Sequence, residues 1–293
     1  GGSIHVKSVK GKGTAIELVF NLAVGDGAKI KDEQSRLIMS DLSHVRILLI
    51  EDNEFNRLVA SNTLGRFKCQ VTQAENGQVA IGLLEKNKFD LILMDLQMPV
   101  MDGFETTRTI REKLGLDLPI IALTANAFKS ELEQCMKIGM NDYVTKPFEE
   151  DKLMGVILKQ LRLDPPPIQI QTPATETKIA AGKLYNLDKL VALTRNDNAY
   201  VQKMISIFLE QTSQAVEQIQ KACAQSDLES LYQVAHKIKP SLGSMGVDVL
   251  YQTIRDVEQK ANDRDDTPEL KRQVDVLVGT LQQLIEQLKL EQI

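Results

Sequence analysis

Acidic and cationic side chains stand directly behind short apolar runs at several points in this 293-residue sequence. Glu51-Asp52-Asn53 follows the run at 46–50, Asp95 follows 91–94, Thr124 follows 120–123, and Lys146-Pro147 follows 143–145. If these runs are strands of one parallel sheet, their carboxyl ends converge on a single crevice. Glu51, Asp52, Asp95, Thr124 and Lys146 would then meet there, with about two negative charges uncompensated, and carboxylates so close raise one another's pKa unless a cation intervenes. Oxygen ligands on a rigid scaffold favour Mg²⁺, which takes one or two carboxylates plus a phosphate and keeps several waters. A carboxylate in such a crevice is a usable nucleophile toward an in-line phosphoryl donor. The developing charge needs Mg²⁺, the Lys146 ammonium and the Thr124 hydroxyl already in place. Pro147 restricts Lys146 to extended backbone, which suits a side chain aimed inward. A single acidic strand end is ordinarily a cap or a solvated charge; joint placement behind separate strands is what points to chemistry.

The second reactive position is His236. The chain has three histidines, His5, His44 and His236. On a helical wheel Leu228, Leu231, Ala235, Ile238 and Leu242 form one apolar stripe, and His236 lies about 140° from Leu231, outside it. Its predicted neighbours on the solvent side are Tyr232, Lys239 and Gly243. Neutral imidazole near pH 7 is a competent phosphoryl acceptor, and Lys239 one turn on can neutralise the phosphoramidate.

The elements that must position these groups follow from periodicity. Two alternating runs, 4–9 and 15–20 around Lys10-Gly11-Lys12-Gly13, predict a β-hairpin that needs a partner sheet. Gly11-Lys12-Gly13-Thr14 lacks the spacing of a phosphate-binding P-loop. Residues 23–43 read as a polar linker. Apolar runs at 46–50, 70–74, 91–94, 120–123 and 143–145, separated by helical stretches, predict a five-stranded, doubly wound parallel α/β domain over 44–162. Pro165-Pro166-Pro167 and Pro173 mark a second linker at 163–184. From 185 to 293 four apolar stripes of helical period predict an antiparallel all-α bundle. Ser226 with Glu229 reads as a capping box and Thr267-Pro268 as a cap followed by proline at the first helical position. Pro240 removes a helix donor, so a kink or loosened turn is expected at His236.

Composition excludes some functions. A formal net charge of −5 argues against a nucleic-acid partner. No apolar run approaches the roughly 18 residues of a membrane span, and no leader pattern opens the chain, so no direct membrane contact or signal peptide is expected. Three scattered cysteines, Cys69, Cys135 and Cys223, fit neither a disulfide framework nor zinc and suit a reducing, cytoplasmic compartment.

The motifs Glu51-Asp52-Asn53, Asp95-Leu96-Gln97-Met98-Pro99, Met101-Asp102-Gly103, Ala122-Leu123-Thr124-Ala125-Asn126 and Asp142-Tyr143-Val144-Thr145-Lys146-Pro147 together resemble a two-component receiver domain, with a flavodoxin-like fold. The resemblance implies that Asp95 is the phosphoacceptor. It implies that Asp52, Asp95 and the Gln97 backbone carbonyl bind Mg²⁺ with Glu51 assisting, and that Thr124 and Lys146 hold phosphoryl oxygens. Tyr143 would be an aromatic switch, and Gln97 and Asn126 would set water access to the acyl phosphate. Ala235-His236-Lys237-Ile238-Lys239-Pro240-Ser241-Leu242-Gly243 resembles the histidine-containing phosphotransfer domain, with Pro240 where that family usually carries glycine. Residues 1–22 resemble the last hairpin of a histidine-kinase ATPase domain, without its nucleotide boxes, so this stretch is not expected to bind ATP and His5 reads as structural.

The implied function is a phosphorelay module from the C-terminal part of a hybrid histidine kinase. Phosphate would pass from an upstream phosphohistidine of the same polypeptide's kinase core to Asp95, then to His236, then to a downstream response regulator. The parent kinase could bring homodimerisation. Whether these 293 residues count as an enzyme is open, since weak aspartyl-phosphate hydrolysis is the one turnover expected of them. One rival is a non-catalytic docking module with a structural acidic pocket, which Mg²⁺ binding would discriminate. A phosphohydrolase would need a second aspartate two residues after Asp95, where Gln97 stands. The expectation for the two sites is transient docking within one chain, with Tyr232, Lys239 and Gly243 meeting the acidic pocket.

Overall fold

The structure, a computed structural model, describes residues 2–9, 13–20, 42–125, 129–147, 149–163, 183–194 and 197–291. Asn126, the turn at 10–12, Pro165, Pro166, Pro167, Pro173 and most of both linkers lie outside the described residues. By internal contacts the chain forms two units, Gly1–Ile38 and Met39–Ile293. In the first, β1 (Gly2–Val9) and β2 (Gly13–Phe20) pair antiparallel from Gly2 opposite Phe20 to Val9 opposite Gly13. His5 is exposed and stands opposite Glu17.

The second unit opens with the α/β domain: β3 (Arg46–Ile50), α1 (Glu54–Arg66), β4 (Gln70–Ala74), α2 (Gly77–Leu84), β5 (Leu91–Asp95), α3 (Gly103–Glu112), β6 (Ile120–Thr124), α4 (Lys129–Lys137), β7 (Asp142–Thr145) and α5 (Glu150–Gln160). The strands are parallel in the order β4-β3-β5-β6-β7. β5 and β6 are buried at every position, as unbroken apolar runs require when helices cover both faces. Side-chain alternation sorts the core into two layers. Ile47, Leu49, Leu91, Leu93, Ile121 and Leu123 pack on one face with α1 and α5, whereas Leu48, Ile50, Ile92 and Met94 pack on the other with α2 and α3. Chain direction through the sheet reverses beside β3, so the crevice between the ends of β3 and β5 is the place where such folds bind ligands. β5 and β6 each take in one residue past the apolar run and β7 takes in one before it, so Asp95, Thr124 and Asp142 belong to the sheet itself.

A bundle follows: short α6 (Asp188–Leu193), α7 (Asn198–Ala224), α8 (Leu228–Ser244), a 3₁₀ turn at Asp248–Leu250, α9 (Tyr251–Asn262) and α10 (Pro268–Lys289). Its core gathers the four apolar stripes, with Phe208, Leu231, Ala235, Ile254, Val257, Leu277, Leu281 and Leu284 almost wholly buried. Two local expectations need correction. α8 is capped by Asp227, whose side chain accepts from the Ser230 amide, because Ser226 adopts a left-handed conformation (φ +51°) and cannot lead a helix; Glu229 pairs with Arg264 instead. α8 also runs unbroken through Pro240 to Ser244, although the proline offers no amide to the His236 carbonyl. Pro240 is buried, so packing holds the turn that one lost bond would otherwise loosen. The Thr267 cap with Pro268 behind it forms as the sequence predicts.

The α/β domain and the bundle share a core. α1 turns Ala60 and Leu64 toward the sheet, while Phe55 and Val59 on its other face join the bundle's apolar cluster. The Phe55 ring is wholly buried and meets Phe208 edge-on at 5.8 Å between centroids, a geometry that adds to simple burial. The Tyr200 hydroxyl donates to the Leu58 carbonyl at 3.2 Å.

The start of α3 is held against β5 because Gly103 has no side chain. A Cβ there would stand 2.3 Å from the Asp95 carbonyl oxygen and 2.9 Å from the Leu96 Cα. Gly103→Ala should therefore destabilise the α/β domain by about 1–3 kcal/mol through overpacking against backbone. Denaturant unfolding checks this, and an unshifted midpoint would contradict it.

Candidate functional site

Glu51, Asp52 and Asp95 arrive from the ends of neighbouring strands β3 and β5, and each offers a carboxylate oxygen within 4.8 Å of the others. Lys146, just past β7, reaches across the sheet end and ion-pairs with Glu51 at 2.6 Å and Asp95 at 2.8 Å. Asn56 on α1 donates to the other Glu51 oxygen at 3.0 Å. Burial pushes the Asp95 carboxyl well above the usual carboxylate range; Glu51 and Asp52 push the same way and Lys146 pulls back. Burial works against the Lys146 charge, but Asp95 and Glu51 more than offset it and hold its pKa above the free value. The result is a buried, oxygen-only donor set with a fixed ammonium, suited in ligand chemistry to a hard divalent cation. The Gln97 amide lies 3.4 Å from Asp95 Oδ1.

Thr124 is buried at the end of β6, and its hydroxyl donates to Glu131 of α4 at 3.0 Å. Its implied role at a phosphoryl group therefore requires the hydroxyl to turn. Tyr143 on β7 stands outward, 39% exposed.

His236 is neither in the bundle core nor open to solvent: its side chain is 13% exposed. Nδ1 lies 2.5 Å from Glu258 Oε1 on α9. Lys239 Nζ holds the other oxygen of the same carboxylate at 2.5 Å and is buried, so it is not the exposed neighbour that the helical wheel placed beside His236. Burial raises the Glu258 pKa, yet hydrogen bonds from His236 and Lys239 outweigh it and hold the carboxyl below its ordinary value. An ionised carboxylate can only accept, so His236 Nδ1 carries the proton toward Glu258. The other ring nitrogen, Nε2, is thereby the one available for bonding to phosphorus. Glu258 went unread in the sequence, although it lies four residues after Ile254 and three before Ala261, on the buried face of α9 where a carboxylate needs a partner.

Asp95 and His236 line one cavity of about 510 Å³, with Glu51, Asp52, Lys146 and Lys237 also in its wall. Lys237 Nζ sits 2.5 Å from Asp52 Oδ2. The crevice thus receives a second ammonium, from the bundle. The Gln97 side chain, implied by resemblance to control water, donates to the Tyr232 hydroxyl at 2.9 Å. Asn53 donates to the Lys237 carbonyl at 3.3 Å and to Ser241 at 3.4 Å. Pro147 packs against Gly243, where a Cβ would meet its ring at 3.2 Å. Of the expected docking stripe, Tyr232 lines the acidic pocket and Gly243 packs beside it on Pro147; Lys237 stands in for Lys239.

Comparison with known proteins divides the chain in the same way. The family model described as response regulator receiver domain matches residues 47–158, and the Hpt domain model matches 203–291. The sensor protein GacS of Pseudomonas syringae pv. syringae is 34% identical over 212 residues, 70% of this chain and 23% of that protein. The virulence sensor protein BvgS of Bordetella bronchiseptica is 24% identical over 275 residues, 89% of this chain and 22% of that protein. The chain therefore spans under a quarter of these relatives. Among solved structures, a receiver domain of a Pseudomonas aeruginosa sensor histidine kinase, with a magnesium ion coordinated in its active site cleft, is 40% identical and covers 40% of this chain and 98% of that one, with a TM-score of 0.38.

The Glu258 bridge makes a pH-dependent contribution. A carboxyl whose native pKa lies below its free value of 4.5 binds fewer protons folded than unfolded. Its stabilisation is present above that value and is lost as pH falls through the lower native one. Glu258→Gln should lower stability at pH 7 by on the order of 1–3 kcal/mol. The gap from the parent should shrink below about pH 4.5, as thermal unfolding across pH would record. A gap independent of pH would refute the bridge.

Proposed function

We propose that this chain, a receiver domain followed by an Hpt domain, is the C-terminal relay segment of a hybrid histidine kinase, passing phosphate from Asp95 to His236. The observation that carries the reading is the single cavity lined by both side chains. The segment limits read from the sequence, 44–162 and 185–293, belong to this proposal. So does the assignment of 1–22 to the end of an ATPase domain, which the long match to BvgS supports. A kinase core in the same polypeptide, a downstream response regulator as final acceptor, dimerisation through the parent and a cytoplasmic location complete it. No helix among the described residues is long and apolar enough to cross a membrane.

In the first transfer the Asp95 carboxylate attacks the phosphorus of an upstream phosphohistidine; the new O–P bond forms as the N–P bond breaks. Lys146, already paired with Asp95, offsets charge on the transferring group without moving far. Mg²⁺ bound by Glu51, Asp52, Asp95 and the Gln97 carbonyl would neutralise phosphoryl oxygens. In the second transfer His236 Nε2 attacks the same phosphorus, and Asp95 leaves as a carboxylate held by Lys146. Glu258 stabilises the imidazolium-like ring through Nδ1, and Lys239 keeps Glu258 ionised and aligned.

A non-catalytic docking module would need none of this inventory. Asp95→Asn should abolish labelling of both sites by a small phosphoryl donor, whereas His236→Gln should leave the acid-stable, base-labile label on Asp95 and remove the acid-labile one. Equal labelling of parent and Asp95→Asn would overturn the reading. Asp52→Asn should weaken Mg²⁺ binding at least tenfold, and titration of an intrinsic tyrosine or calorimetric signal checks it; unchanged affinity would remove Asp52 from the metal site.

Mixing the two variants decides the path. With Asp95 intact only in the His236→Gln chain and His236 intact only in the Asp95→Asn chain, dilute mixtures should label His236 far more slowly than the parent. Equal rates would show that transfer runs between chains.

A further inference from the structure

We infer that two polar contacts flanking His236 lock the register of α8 over the receiver domain, making Tyr232 and Ser241 positioning residues for transfer within the chain. This inference rests on the relay reading above. On one flank the Gln97 side chain donates to the Tyr232 hydroxyl at 2.9 Å. On the other, Asn53 donates to the Lys237 carbonyl at 3.3 Å and the Ser241 hydroxyl at 3.4 Å, while Ser241 in turn donates to Asn56 Oδ1 at 3.4 Å. Tyr232 lies four residues before His236 and Ser241 five after it. At 1.5 Å per residue the clamped stretch is about 13 Å long, and the two contacts lie on opposite sides of the histidine around the helix.

The apolar part of the contact cannot set register by itself. Phe55 and Val59 bury against α7 and α8 with non-directional attraction, which tolerates sliding of a helix along its groove. A slip of one helical turn displaces every side chain by about 5.4 Å, enough to take His236 out of reach of a phosphoryl group on Asp95. A hydrogen bond is lost once donor and acceptor part beyond about 3.5 Å, so a one-turn slip breaks the contacts at both ends and the pair admits one register. The receiver side supplies the clamp from fixed points. Gln97 and Asn53 follow adjacent strands β5 and β3, and Asn53 is itself held as the N-cap of α1 by accepting from the Asn56 amide. Gln97 is two residues past Asp95 and its amide lies 3.4 Å from the Asp95 carboxylate, so the residue that reads Tyr232 is tied to the phosphoacceptor.

Tyr232 and Ser241 belong to the Hpt side, so their substitution leaves the Asp95 carboxylate and its metal ligands chemically intact. The ring of Tyr232 also lies tilted against that of His236, 5.8 Å between centroids, and phenylalanine keeps that ring. The full chain carrying Tyr232→Phe, Ser241→Ala or both is labelled with phosphoramidate and Mg²⁺, and label on Asp95 and His236 is followed separately in time. Each single substitution should slow transfer from Asp95 to His236 about tenfold, the effect of one lost directed hydrogen bond. The double should slow it at least as much as the slower single. Initial loading of Asp95 should stay within about twofold of the parent. In a Gln97→Leu background, Tyr232→Phe should add nothing, because their shared bond is already gone. Transfer at the parental rate in both single variants, or a full further tenfold loss in the Gln97→Leu background, would overturn the lock. Loss of Asp95 loading in parallel with transfer would also overturn it, since that is the mark of general unfolding. If the parent itself never labels Asp95, the relay reading fails, and the lock fails with it.

Discussion

Three carboxylates in one buried crevice are untenable without cations, and the supply of those cations organises this molecule. Lys146 provides one from β7, buried between Glu51 and Asp95. Its position depends on the parallel order of the strands, which brings the end of β7 round to the ends of β3 and β5. Lys237 provides another from α8 and reaches Asp52. The charge requirement of the α/β domain is thus met partly by the bundle, and electrostatics favours the docked arrangement before any phosphate is present. Formal charges still leave one carboxylate in excess of the two ammoniums, the condition in which a divalent cation or a transferring phosphoryl group with its metal is best accommodated.

A second acid–base arrangement mirrors the first. Glu258 is a carboxylate in the bundle's wall, and its burial is sustained by Lys239 and His236. In both places a buried lysine pairs with a buried carboxylate beside the proposed reacting group: Lys146 with Glu51 next to Asp95, and Lys239 with Glu258 next to His236. The parallel explains why Lys239 is not at the pocket mouth. Lys239 is buried and its ammonium is held by the Glu258 carboxylate, which would otherwise be a buried charge without enough partners.

The sequence was most legible where one element dictates its own residues. Unbroken apolar runs gave β3, β5 and β6, helical stripes gave α7 to α10, and the acidic and basic strand ends converge as their position after each run predicts. Legibility fell where a residue's role is set by a partner far along the chain. Glu258 is 22 residues from His236, and its meaning depends on how α9 folds back against α8. Phe55 and Val59 look like ordinary α1 core residues until the bundle is present to receive them. Gln97 and Lys237 each have a plausible local role, and only the docked arrangement assigns the first to Tyr232 and the second to Asp52. The cap of α8 failed for a local reason: the left-handed backbone at Ser226 moves the cap to the next residue.

The covering of the acidic crevice by α8 also imposes an order in time. A surface that one helix occupies is closed to another, and a phosphohistidine on any upstream helix would need the ground that Tyr232, Lys237 and Pro240 hold. On the proposed relay reading, charging and discharging of Asp95 would therefore exclude each other and alternate, with the dwell time of the bundle on the α/β domain as the clock. Phe55 lengthens that dwell, because each departure exposes a large aromatic ring to water. In the proposed relay, throughput would then be governed by how often the α/β domain and the bundle part.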